Sequence, residues 1–172
     1  MARWKAVAQR YHARAVVAAY NLINEPLSNA PFGRFMRDDQ YQPDWENFNR
    51  IYRETIRAIR SVDTRHIIML EGDYYATLFN QIDLAEDANL LLSSHHYLGI
   101  STAHLQAYPA VFEGTLWDRE KIRQRFLETE GYQQARRRQV PLLVGEFGFN
   151  HAHAYEKSEG QLYAFSDQMK VY

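Results

Sequence analysis

The sequence predicts an α/β fold: a partial TIM (β/α)8 barrel of about four parallel strands with flanking helices, in a single incomplete domain covering residues 1–172. Three observations carry this. Helix-period segments alternate with short apolar runs that read as buried parallel strands. The runs fall roughly 40 residues apart between Glu25 and Glu146, within the 31 to 50 that a barrel of ordinary size averages per unit. Polar and charged residues gather where each run ends, which in a barrel is the C-terminal face of the sheet. An open doubly wound sheet shares the alternation, but the chain has no Gly-x-Gly-x-x-Gly turn of a dinucleotide fold.

Arg3–His12 has helical periodicity, with Trp4, Val7, Ala8 and Tyr11 on one face. The chain therefore reads as beginning in mid-domain. Ala15–Ile23 is a short apolar run and the first expected strand. A polar loop with Gly and Pro, Leu27–Gln42, follows. Pro43 and Asp44 open a strong helix whose apolar positions are Phe48, Ile51, Tyr52, Thr55, Ile56 and Ile59. Asp63 and Thr64 break it, and His66–Leu70 reads as the next strand. Tyr74–Leu84 is a loop or short helix. Leu90–Ser94 is a third strand, ending in His95-His96-Tyr97. Residues 98–117 look irregular, and Asp118–Arg138 reads as one helix with Ile122, Phe126 and Tyr132 inward. Pro141–Val144 is a strand that delivers Glu146, and Ser158–Tyr172 starts a final helix.

Composition narrows the function classes. A net charge of -1 gives no electrostatic case for nucleic acid or an anionic membrane as partner. No apolar run reaches the roughly 18 residues of a membrane span. With no cysteine, disulfides and thiolate sites are excluded. Aromatic residues, 12 of them Tyr, suit stacking on flat apolar faces such as sugar rings, although core packing accounts for most of them.

Two short motifs carry chemistry. Tyr20-Asn21-Leu22-Ile23-Asn24-Glu25-Pro26 and Val144-Gly145-Glu146-Phe147-Gly148 each put a glutamate at the end of an apolar run, 121 residues apart. Two glutamates at neighbouring strand ends are what retaining glycoside hydrolysis requires, one as acid/base and one as nucleophile, with carboxyl groups about 5–5.5 Å apart. Pro26 is expected to hold Glu25 in extended geometry. Gly145 and Gly148 permit close approach and unusual dihedrals around Glu146. His95 and Tyr97 lie two apart and share a face, with His96 on the other. Glu71-Gly72-Asp73-Tyr74-Tyr75 ends the second strand, and Asp73 is a candidate sugar-binding group there. His95-His96 and His151-x-His153 lack the third ligand and second shell of a metal site, so neither metal nor cofactor is expected.

In this order and spacing, Asn24-Glu25-Pro26, His95-His96-Tyr97 and Gly145-Glu146-Phe147-Gly148 resemble glycoside hydrolase family 5, the clan A family of cellulases, mannanases and exoglucanases. The resemblance runs from the family's third helix to its seventh. It implies a catalytic barrel domain, with Glu25 as acid/base, Glu146 as nucleophile, Asn24 on the sugar 2-hydroxyl, His95 on the substrate and Tyr97 on the nucleophile. It implies a β-linked oligo- or polysaccharide as partner, double-displacement hydrolysis and secretion. The family's first three strands and its eighth have no counterpart, and with them go a supporting arginine, a histidine and a tryptophan. Three rival readings follow: a fragment that binds carbohydrate without turnover, one that self-associates through incomplete barrel edges, and a metal-dependent barrel hydrolase.

Overall fold

The computed structural model describes residues 1–30, 40–84, 87–98, 108–149 and 166–172. Its elements run α1 (Ala2–Tyr11), β1 (Ala19–Asn21), α2 (Trp45–Arg60), β2 (Ile67–Glu71), α3 (Asp73–Ala76), β3 (Leu90–Leu98), β4 (Ala110–Phe112), β5 (Thr115–Trp117), α4 (Arg119–Leu127), α5 (Glu130–Arg138) and β6 (Leu142–Phe149). Strands β1, β2, β3 and β6 form one parallel sheet in that order. An order that follows the chain without reversal is that of a barrel wall, not of a doubly wound sheet. The four strands and their helices make a half-barrel.

The helices form for legible reasons. Asp44 caps α2 by accepting the Asn47 backbone N–H, Glu46 lies in the first turn, and Arg57 and Arg60 lie in the last. Its buried face is Phe48, Tyr52, Thr55, Ile56 and Ile59. These meet Ile68, Leu70 and Leu92 from the sheet, and Phe79, in the main core. The face expected of α1 is only partly inward. Ala8 is buried and Trp4 packs against the core beside Tyr20, but Val7 and Tyr11 are exposed. Asp63, just past α2, ties that helix to the sheet. It accepts the Tyr20 hydroxyl at 2.7 Å and the backbone N–H groups of Arg65 and His66. Burial alone would raise its pKa, but these hydrogen bonds and that of the His66 ring hold the carboxyl well below the usual range.

Four expectations are corrected. The first strand is Ala19–Asn21 and not 15–23, since turns hydrogen-bonded from Arg14 to Tyr11 and from Val17 to Arg14 occupy the preceding residues. The third runs on to Leu98, because His95–Leu98 pair with Glu146–Phe149. Part of the segment taken as irregular is an antiparallel hairpin, β4–β5, turned by Glu113 (φ 47°) and Gly114 (φ 74°). Positive φ at both positions is the signature of the two-residue turn that matches strand twist. Finally, 118–138 is two helices. Thr129 accepts the Tyr132 N–H and starts α5, while Asp118 caps α4.

Part of the 27–42 loop, residues 99–107 and most of the final helix lie outside the described residues; residues 166–171 are helical. No described helix is long and apolar enough to cross a membrane.

Candidate active site

The site lies over the C-terminal ends of β1, β2, β3 and β6. Within a strand, residues two apart share a face. Residues 68 and 70 of β2 are buried on the helix side, leaving Ile67, Met69 and Glu71 on the other. Glu71 is thus the topmost residue of the inner face. It is 1% exposed, and its Oε1 accepts the Asn21 amide N–H at 2.6 Å.

Glu25 follows β1 in a loop. Its backbone is not extended, as Pro26 led us to expect; its φ is +47°. Proline favours extended backbone in the residue before it, so the left-handed value at Glu25 is held against that preference. The positive φ costs on the order of 1–2 kcal/mol. It is held by a hydrogen bond from the Glu25 N–H to Glu71 Oε2 at 2.7 Å. The side chain turns inward, where its Oε1 lies 2.9 Å from His95 Nδ1. Asn24 stands exposed beside it.

Glu146 reaches the same histidine through a bulge. Ser94 pairs with Val144, but the next residue, His95, pairs with Glu146, so Gly145 is the extra residue. A Cβ at Gly145 would lie 2.7 Å from Ser93 Oγ, so any other residue there would force that hydroxyl to move. The bulge re-aims Glu146 toward the inner face, the use such irregularities have beside active sites. Glu146 Oε2 lies 3.6 Å from His95 Nδ1 and accepts the Tyr97 hydroxyl at 2.8 Å. That hydrogen bond, with burial and the charges of Glu146 and Glu25, pushes the Tyr97 pKa up to about 12, so the hydroxyl stays a donor. His96 turns to the opposite face, against Phe126 and Tyr172.

Five of the six residues singled out in the sequence therefore sit together or side by side: Asn24, Glu25, His95, Tyr97 and Glu146. The sixth, Asp73, does not join them. It is fully buried, and its carboxylate accepts the Ser28 N–H at 2.9 Å, the Ser28 hydroxyl, the Tyr41 hydroxyl at 2.8 Å and the Tyr74 N–H at 2.8 Å. It anchors the loop after Glu25 and the left-handed turn Tyr74–Ala76, where three successive φ values are 50°, 56° and 58°. Glu71, which the sequence places in the motif ending β2 but which was not singled out there, does join those five. Its signal was there: it ends the apolar run Ile67–Leu70 in phase with Ile67 and Met69.

The side chains of Glu25, His95 and Glu146 each bring one atom within 4.8 Å of the others. That set is compact enough to hold a cation, but a carboxyl–imidazole hydrogen bond already accounts for its shortest contact. His151 and His153 lie outside the described residues. A cleft of about 310 Å³ opens beside the group, reached by Glu25, Tyr75, His95, Tyr97, Thr129 and Glu130.

A parallel sheet in chain order with its titratable groups over the strand ends defines a segment of a (β/α)8 barrel with the site on its catalytic face. The model of the cellulase family, glycosyl hydrolase family 5, matches residues 1–172, and the chain belongs to that family. A β-xylosidase of Phanerodontia chrysosporium is 27% identical over 98% of this chain and 33% of its own. An endoglycoceramidase of Cyanea nozakii is 35% identical over 55% of this chain and 20% of its own. The crystal structure of the endoglucanase Cel5A from Thermotoga maritima superposes with a TM-score of 0.70 at 20% identity, over 99% of this chain and 53% of that one. The chain thus spans about a third or less of these curated relatives and about half of that solved structure.

Proposed function

We propose that this chain carries the catalytic pair of a retaining β-glycosidase that hydrolyses β-linked glucan or a related polysaccharide, in the manner of an endoglucanase. One observation carries the reading: Glu25 and Glu146 present carboxyl oxygens within 4.8 Å of each other around His95. Inverting pairs stand about 6.5–9.5 Å apart to admit a water, whereas retaining pairs stand about 5–5.5 Å apart. Glu25 protonates the leaving glycosidic oxygen while Glu146 attacks the anomeric carbon. Water then hydrolyses the glycosyl-enzyme with Glu25 as base. Tyr97 holds one oxygen of Glu146 and leaves the other for attack. His95 orients both carboxyl groups and meets the substrate, and Asn24 contacts the sugar 2-hydroxyl. The relatives named above support the class, since all three carry names of carbohydrate-cleaving enzymes.

The test is incubation with an activated 2-deoxy-2-fluoro β-cellobioside, followed by intact mass and peptide mapping. A covalent adduct on Glu146, absent from Glu146→Gln, is the expected result. An adduct elsewhere would overturn the assignment. Folded protein stabilised by sugar, with neither adduct nor product, would instead favour binding without turnover.

A further inference from the structure

We infer that Glu71 is a positioning residue for the acid/base, fixing both the backbone of Glu25 and the ring of His95. The inference rests on the glycosidase reading for its purpose but on separate geometry for its content. Two donors bond one buried carboxylate, the Asn21 amide at 2.6 Å and the Glu25 N–H at 2.7 Å, and His95 Nε2 stands beside it at 3.6 Å, outside hydrogen-bond distance. The backbone carbonyl of Glu71 is also engaged, by the Tyr52 hydroxyl at 2.8 Å, so the residue is pinned from the core side. A carboxylate accepts at both oxygens and offers no donor. An amide of the same shape would point N–H groups at one or more of these donors and leave a buried polar group unsatisfied.

The arrangement has two consequences for Glu25. Its N–H bond to Glu71 stabilises the positive φ that turns the Glu25 side chain over the inner face. His95 Nε2 faces Glu71, whereas its Nδ1 faces Glu25 at 2.9 Å and Glu146 at 3.6 Å. A buried carboxylate on that side favours the tautomer with its proton on Nε2. The imidazole is left to meet the two working carboxyl groups with its other nitrogen. Support of this kind, a buried acceptor fixing the orientation of a histidine, is how reacting groups are held in place before the reaction.

The experiment is nitrogen-15 NMR of the native chain and of Glu71→Gln, reading the ring nitrogens of His95 and the backbone amide of Glu25. The native chain is expected to show a protonated Nε2 and a Glu25 amide proton shifted far downfield by its short bond to a carboxylate. In the variant, the amide moves upfield and the His95 nitrogens change their protonation pattern, while core methyl signals stay in place. A bare Nε2 in the native chain overturns the proposal without any variant. Unchanged His95 and Glu25 signals in a folded Glu71→Gln overturn it equally.

Kinetics separate this from the reading it rests on. Where the native chain turns over substrate, Glu71→Gln should lower kcat and kcat/KM by about 10–100-fold for a sugar leaving group. KM should hold, and a dinitrophenyl leaving group, which needs no acid in the glycosylation step, should be spared in kcat/KM. An equal loss on both substrates marks a merely structural role and overturns the proposal. If the native chain gives neither turnover nor an adduct on Glu146, the glycosidase reading fails while the NMR result still decides the role of Glu71.

Discussion

Asp73 and Glu71 lie two residues apart at one strand end, yet their carboxylates meet different donors. Asp73 faces Ser28, Tyr41 and Tyr74 and organises loops, whereas Glu71 faces Asn21, Glu25 and His95. Asp73→Asn places an amide among these donors, which should cost about 2–3 kcal/mol of stability. Urea denaturation checks it; unchanged stability with raised KM would return Asp73 to the substrate. His96 makes a different residue-scale prediction. Burial against Phe126 and Tyr172, with Arg125 nearby, lowers its pKa to about 4 from an ordinary 6.5. Between those values the unfolded chain binds the proton and the folded chain does not. Its stabilising contribution is complete above about pH 6.5 and is lost as pH falls toward 4, at most about 3 kcal/mol. Denaturation midpoints across that range should fall with pH, and His96→Phe should flatten the slope. Glu25 and Glu146 could be found in the sequence because each ends an apolar run beside a proline or a glycine. Asp73 misled because burial by Ser28 and Tyr41, 45 and 32 residues away, leaves no local trace.

At the scale of elements, the four parallel strands and α2 were legible because their signals are local: apolar runs, helical spacing and the Asp44 cap. What escaped was set by pairing. The extension of β3 to Leu98 exists because β6 lies alongside it, and the bulge at Gly145 shows only in how the two strands register. The β4–β5 hairpin did leave a mark, Glu113-Gly114 between Val111-Phe112 and Thr115-Leu116, but one glycine is a weak turn signal without the positive φ before it. The end of α5 carries a motif that the sequence disguises. Val140 N–H bonds to the Ala135 carbonyl and Gln139 N–H to that of Arg136, with Gln139 at φ 55°. This is the Schellman arrangement, and its left-handed position ordinarily belongs to glycine. Gln139 is exposed, so nothing is lost in packing when its side chain is removed. Gln139→Gly should stabilise the chain by about 1 kcal/mol, the relief of the left-handed penalty. Thermal denaturation at neutral pH checks it, and a lower Tm would show that the side chain holds something the backbone argument ignores.

Among the described residues the sheet is a wall without its opposite side. Among the described residues the sheet ends at β1 on one edge and at β6 on the other, so both edge strands keep unpaired backbone groups. The inner face is open as well: Leu143 is 45% exposed on β6, where an intact barrel would pack its interior. An apolar cleft beside it is lined by Phe126, Leu142, Val144, Phe147 and Tyr172. Open edges next to apolar surface are the ordinary route to strand-to-strand association. The 172-residue chain by itself should therefore associate as its concentration rises, through β6 before β1, because β6 is the longer of the two and has the apolar cleft at its side. Light scattering across a hundredfold range of concentration reads this directly, with a rising mean mass expected. Leu143→Lys sets a charge on the exposed face of that edge and should move the rise to higher concentration. A monodisperse monomer throughout would mean that both edges are already covered, and the association argument would fall while the geometry around Glu25 and Glu146 stood.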